Sequence, residues 1–268
     1  MRLPPGLGTR ALSSVLVVLV AAVLVYAPPW LLAPVLLALA GVGLLEMYNL
    51  LSRSGHALPV PLGLGLVFLL ILSGTSGPPA LLNLGVLLAG AAPLAWVMLK
   101  GPVSGMLEVW ALAALGALYV GWPLAHVHLL RHLPDGQAWL ALAIACTWAT
   151  DTGAYIFGNL FGARKLAPSI SPGKTIEGAL GALLVTAAVG MLVARPVNLQ
   201  LGVVAAAFVS LGLSVVAQSG DLGESYMKRV AGVKDSGQLL PGHGGLLDRV
   251  DGLLWVVVAT YYLAIAAP

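Results

Sequence analysis

Charge is scarce in this sequence and cysteine almost absent. Of 268 residues, 13 are Lys or Arg and 10 are Asp or Glu, 9% together, whereas a soluble domain carries about 25%. So few charges cannot cover a water-exposed surface, which excludes an ordinary soluble domain. The single cysteine, Cys146, excludes an internal disulfide. The basic residues are scattered and the net charge is only +3, so no nucleic-acid surface is expected. No regular period marks a repeat array. What is present is apolar: 59% of residues are hydrophobic and the mean hydropathy is +0.98. That composition implies a polytopic, all-α membrane protein.

A spanning helix needs about 20 mostly apolar residues. Nine such runs are predicted, near 11–27, 29–51, 58–74, 78–99, 105–129, 137–158, 174–194, 199–219 and 245–266. Arg2 and Arg10 precede the first run as in a signal peptide, but no small-residue cleavage site precedes Pro28 and a second span follows at once. Residues 1–100 read as about four N-terminal transmembrane helices. Residues 101–268 read as a C-terminal catalytic region with loops near 159–174 and 220–245. With the N-terminus inside, 11 of the Lys and Arg residues fall on the cytoplasmic side and only Arg131 and Arg195 outside. This positive-inside bias predicts an N-in, C-out chain in the cytoplasmic membrane, with both loops facing the cytoplasm.

The charges that exist are concentrated. Nine lie in Asp221–Asp251, reading DLGESYMKRVAGVKDSGQLLPGHGGLLDRVD. Asp221, Glu224, Ser225 and Lys228 are spaced i, i+3, i+4, i+7, one helix face. Gly232 is expected to end that helix. Gly244 and Gly245 precede another helix, whose entrance suits an anion, and Asp248 and Asp251 share its first face. Acids on two helices, with bases and a glycine turn between them, suit a metal ion and a polyphosphate.

A second polar stripe runs through the sixth apolar segment: Thr147, Asp151, Tyr155 and Asn159 recur every four residues. The eighth carries Ser210, Ser214, Gln218, Asp221 and Ser225, and the two are expected to face each other across a water-filled cavity. An acid inside a membrane helix, such as Asp151, is a functional candidate. Ser171-Pro172 suits a helix cap and first position, which would put Lys174 and Thr175 in the first turn, with Lys174 able to meet an anion. Gly173-Lys174-Thr175 lacks the earlier glycine of a P-loop, Pro168 standing there instead. Glu46, Asn49 and Glu108 lie near predicted span ends, within reach of the interface, and the roles of the two acids are left open.

Ser225-x-x-Lys228-Arg229, Lys234-Asp235-Ser236-Gly237, Pro241-Gly242-His243-Gly244-Gly245 and Asp248-Arg249-x-Asp251 together resemble the signature of the phosphatidate cytidylyltransferase (CDP-diacylglycerol synthase) family. The block Asp151 to Gly178 is similar to it as well. The resemblance implies a reaction in which phosphatidate and CTP give CDP-diacylglycerol and pyrophosphate. It also implies a lipid-bilayer setting, a homodimer, and Mg²⁺ with or without a second cation. Asp221, Asp248 and Asp251 are then the metal-ligand candidates. Lys228, Arg229, Lys234 and Arg249 would neutralise phosphates. Asp151, Lys174, Ser225, His243, Gly244 and Gly245 are the remaining substrate-binding candidates. Two rivals stand beside this reading: a CTP-dependent polyprenol kinase, which would release CDP, and a transporter, which would need a charged midplane site.

Overall fold

The computed structural model describes residues 7–76, 79–100, 105–197, 199, 201–237 and 244–267. His243, and with it Pro241 and Gly242 of the motif, lies outside them. Among the described residues there are nine α-helices: α1 (Leu7–Tyr26), α2 (Pro29–Leu51), α3 (Val60–Ser76), α4 (Pro79–Lys100), α5 (Met106–His132), α6 (Gly136–Phe161), α7 (Ile176–Val193), α8 (Val203–Val230) and α9 (Leu247–Ala266). Each falls on one of the nine apolar runs. Seven, α2 and α4 to α9, are long and apolar enough to cross a membrane, while α1 and α3 contribute shorter apolar stretches, Ser14–Tyr26 and Val60–Thr75. Helix α8 continues through Val230, so residues 220–230 of the expected loop are helical, as the spacing of Asp221, Glu224, Ser225 and Lys228 requires. It stops before Gly232, whose φ of 69° places it in the left-handed region that glycine tolerates.

One element departs from the all-helical expectation. Strands β1 (Lys165–Ala167) and β2 (Ser171–Thr175) pair antiparallel, Lys165 opposite Thr175 and Ala167 opposite Ser171. Ser171 and Pro172 are therefore not the start of α7, and Lys174 is not in its first turn. The cap is Thr175, extended at φ −124°, ψ 155°, whose hydroxyl accepts the Gly178 N–H. The physical reason is competition for backbone partners. Ile176 N–H bonds the Arg164 carbonyl at 2.9 Å, and the hairpin satisfies groups that a longer helix would otherwise have to pair. Pro172 fits a strand whose outer edge has no partner to lose.

The chain forms two compact units. In the first, Met1–Leu129 with Val230–Arg249, helices α2, α3 and α4 pack in sequence. The Tyr48 hydroxyl bonds the Ala113 carbonyl of α5 at 2.9 Å. Trp110 of α5 donates to the Gly90 carbonyl of α4 at 2.8 Å.

In the second unit, Leu130–Arg229 with Val250–Pro268, α6 and α7 pack closely along their length. Small residues make it: a Cβ on Gly181 would run into Phe157, and one on Gly153 into Ala182. Such close approach is how helices associate in an apolar medium, where burial alone gives little attraction. A buried hydroxyl relay joins three helices: Thr150 of α6 lies 2.9 Å from Thr186 of α7 and donates to Ser214 of α8 at 3.0 Å.

Candidate active site

The second unit holds a cleft of about 170 Å³ lined by α6, the hairpin, α7 and α8. Asp151, Tyr155 and Gly158 come from α6, Gly173, Lys174 and Thr175 from β2, and Gln218 and Asp221 from α8. Two residues of each polar stripe share this cleft, Asp151 and Tyr155 of one and Gln218 and Asp221 of the other, while Ser210, Ser214 and Ser225 are not among its lining residues. Thr147 is buried and bonds back to the Ala143 carbonyl. Thr150, outside the stripe, lines the cleft in its place. Asn159 is exposed and is not among the lining residues.

The cleft contains an ion pair that local sequence could not announce. Lys174 Nζ stands 2.6 Å from Asp221 Oδ2, the two side chains 25% and 33% exposed. Strand β2 causes this: an extended backbone carries Lys174 to Asp221, where a helical turn would have aimed it elsewhere. The other oxygen of Asp221 accepts the Ser225 hydroxyl at 3.4 Å, one turn along α8. The hairpin is tied down on both sides. Glu177 accepts the N–H groups of Ala163 and Arg164 at 3.0–3.3 Å, and Arg229 Nε donates to the Ile170 carbonyl at 3.0 Å.

Beyond Asp221 lies a denser group of charges. Glu224 is fully buried and pairs with Lys228 across 3.5 Å. Asp251 lies beside Glu224 and within electrostatic range of Asp221 and Lys228. Buried charges survive only when paired, and here three acids meet two lysines. Glu224 belongs to this group as fully as Asp251. Its place on the Asp221 face marked it in the sequence, yet no role followed from that alone.

The first unit carries the rest of the motif. Asp248 Oδ2 accepts three hydrogen bonds, from Ser236 N–H and hydroxyl at 2.9 Å each and from Gly245 N–H at 2.8 Å. Gly244, at φ 84°, has the left-handed backbone that glycine permits. Lys234 and Arg249 are exposed. Glu46 is buried, 8% exposed, and its two oxygens accept the N–H groups of Leu246 and Leu247 at 3.0 and 2.9 Å. Exposed Asn49 and Glu108 remain outside this network.

Asp221 and Asp251 offer the hard oxygen donors that Mg²⁺ prefers. Among the described residues no three His, Cys, Asp or Glu form a group able to hold an ion alone. Any Mg²⁺ held here would need water or substrate phosphates to complete its shell.

Residues 8–266 match the family described as "Cytidylyltransferase family". A protein of Brucella suis biovar 1 named "Phosphatidate cytidylyltransferase" is 44% identical over 183 residues, which are 68% of this chain and 65% of that protein. Proteins of the same name from Staphylococcus haemolyticus and Staphylococcus epidermidis are 44% and 42% identical over 147 residues, 55% of this chain and 56% of theirs. The aligned part thus spans less than two thirds of the length of each of these relatives.

Proposed function

We propose, because the chain belongs to the cytidylyltransferase family, that it transfers the cytidylyl group of CTP to phosphatidate, giving CDP-diacylglycerol and pyrophosphate. The observation that carries the reading is the Lys174–Asp221 pair, 2.6 Å apart in a cleft between apolar helices. One substrate is a lipid and must arrive from the bilayer; the other is a polyanion and needs cations in a pocket open to water.

In this reaction a phosphate oxygen of phosphatidate attacks the α-phosphorus of CTP. The bond from that phosphorus to the bridging oxygen breaks, and pyrophosphate leaves with the electron pair. The lipid phosphate is a monoester with a second pKa of about 6, by analogy with phosphorylated side chains, so it is already a nucleophile at neutral pH. No Ser, Cys or His nucleophile is required. The protein's task is to hold two anions together against their repulsion.

Lys174 is poised for that task. An arriving phosphate draws its ammonium away from Asp221 and frees a carboxylate oxygen of the acid. Asp221 and Asp251 would hold Mg²⁺, which would offset charge on the nucleotide phosphates and the leaving pyrophosphate. Asp248, assigned with them from the motif, spends one oxygen on its own loop. Lys228 and Arg229, with Lys234 and Arg249, neutralise phosphate oxygens. Asp151 and Ser225 orient the substrates, and Gly244 and Gly245 let a phosphate approach the backbone. We further propose nine spans with the N-terminus in the cytoplasm, the cleft opening to that side, and a homodimer.

The test is purified protein in detergent or vesicles with phosphatidate, CTP and Mg²⁺. CDP-diacylglycerol and pyrophosphate in equal amounts are expected. Release of CDP, with a phosphorylated alcohol as the other product, would replace this reading with a lipid kinase.

A further inference from the structure

The N-terminal half of the chain carries no part of the motif, yet one of its acids is built into the motif's loop. Glu46 sits on α2, buried. Its Oε1 accepts the Leu246 N–H and its Oε2 the Leu247 N–H, so the carboxylate occupies the N-terminus of α9. The fit around it is tight on the loop side too. A Cβ on Gly237 would stand 2.6 Å from Oε1, and a Cβ on Gly245 would stand 2.6 Å from Oε2. Both glycines are therefore the space the carboxylate fills.

Asp248 closes the same assembly from the other side, gripping Ser236 and Gly245 through one oxygen. Asp248 thus bonds Ser236 and Gly245, while Glu46 bonds Leu246 and Leu247 and packs against Gly237. The two acids share residues 245–247, and Asp248 alone bonds the Ser236 side.

We propose that Glu46 is a positioning residue for the reaction. It touches no substrate; it fixes the Ser236–Gly237 and Gly245–Leu247 segments against α2, and through them the orientation of Asp248 and Arg249. The proposal rests on the cytidylyl-transfer reading. It also assigns the first half of the chain a part in catalysis that no motif there suggests. The physical logic is that a buried carboxylate with two backbone N–H partners is a stiff anchor, and that a displacement of about 1 Å at reacting groups can cost on the order of a hundredfold in rate.

The test compares wild type, Glu46→Gln and Gly237→Ala. Gln keeps the shape but offers an NH₂ where an N–H needs an acceptor. The Ala methyl disturbs the carboxylate from the loop side and leaves Glu46 intact. Hydrogen–deuterium exchange of peptides covering 233–250 is read together with thermal stability and steady-state kinetics in both substrates. Both variants are expected to speed exchange in that segment at least tenfold while other helices stay protected. Turnover should fall at least tenfold, with the KM for phosphatidate within twofold of wild type. Unchanged exchange in Glu46→Gln would overturn the anchor. Faster exchange throughout the chain with a falling melting temperature would reduce Glu46 to general stability, and local loosening with normal turnover would remove it from the reaction. A wild-type protein that makes no CDP-diacylglycerol while its Glu46→Gln variant loosens the loop would instead sink the cytidylyl-transfer reading and leave the anchor standing.

Discussion

At the scale of single residues, Lys174 pairs with Asp221 and Lys228 with Glu224. Lys174 and Asp221 are each partly exposed, so the pair contributes little to folding and its value is positional. Asp221→Asn keeps the size and removes the charge; turnover should fall by roughly a hundredfold or more, comparable to losing a key electrostatic contact, while the protein still inserts and purifies. Lys174→Gln should cost a similar factor. If the two act as a unit, Lys174→Gln/Asp221→Asn will be little worse than either alone; losses that multiply in the double variant would show two independent roles. Initial rates over a range of Mg²⁺ concentrations check this, and Mg²⁺ dependence unchanged in Asp221→Asn would remove that acid from the metal site.

At the scale of elements, the hairpin before α7 carries Lys174, with Thr175 capping the helix that follows and Glu177 and Arg229 tying the hairpin down. Thr175→Ala removes the acceptor for Gly178 N–H and should cost about 1 kcal/mol, the usual value of such a cap, seen as a lower melting temperature with turnover largely kept. Glu177→Ala releases the N–H groups of Ala163 and Arg164, and trypsin should then cut at Arg164-Lys165 several-fold faster than in wild type. An unchanged cleavage rate would show the hairpin is held by other contacts. This element was not legible in the sequence. Three- and five-residue strands with Pro172 and Gly173 inside carry no alternating pattern, and Ser171-Pro172 is a sound helix start by local rules. The cap that won, Thr175, needed the Arg164 carbonyl brought back to Ile176, which is tertiary information. The nine helices were legible because an apolar run of about twenty residues reports its own fate. The face shared by Asp221, Glu224, Ser225 and Lys228 was legible for the same local reason. The partners were not: Lys174 to Asp221 and Glu46 to Leu247 join distant segments, and nothing around either end names the other.

At the scale of the whole molecule, the asymmetry of Lys and Arg between alternate loops carries the proposed topology. With Cys146 replaced by Ser, cysteines introduced as Ser54→Cys and Ser169→Cys should react with an impermeant maleimide only after the cytoplasmic face is opened, and Gly202→Cys in intact cells. Labelling of Ser169→Cys in intact cells would invert the arrangement. The anchor at Glu46 also has a temporal side. Its N–H partners lie 200 and 201 residues further along the chain, and synthesis at about 5–20 residues per second delivers them roughly 10–40 s after α2 has emerged. For that interval a carboxylate sits on an apolar helix without its native partners. Insertion of the first helices must therefore tolerate an acid whose N–H partners have not yet been translated.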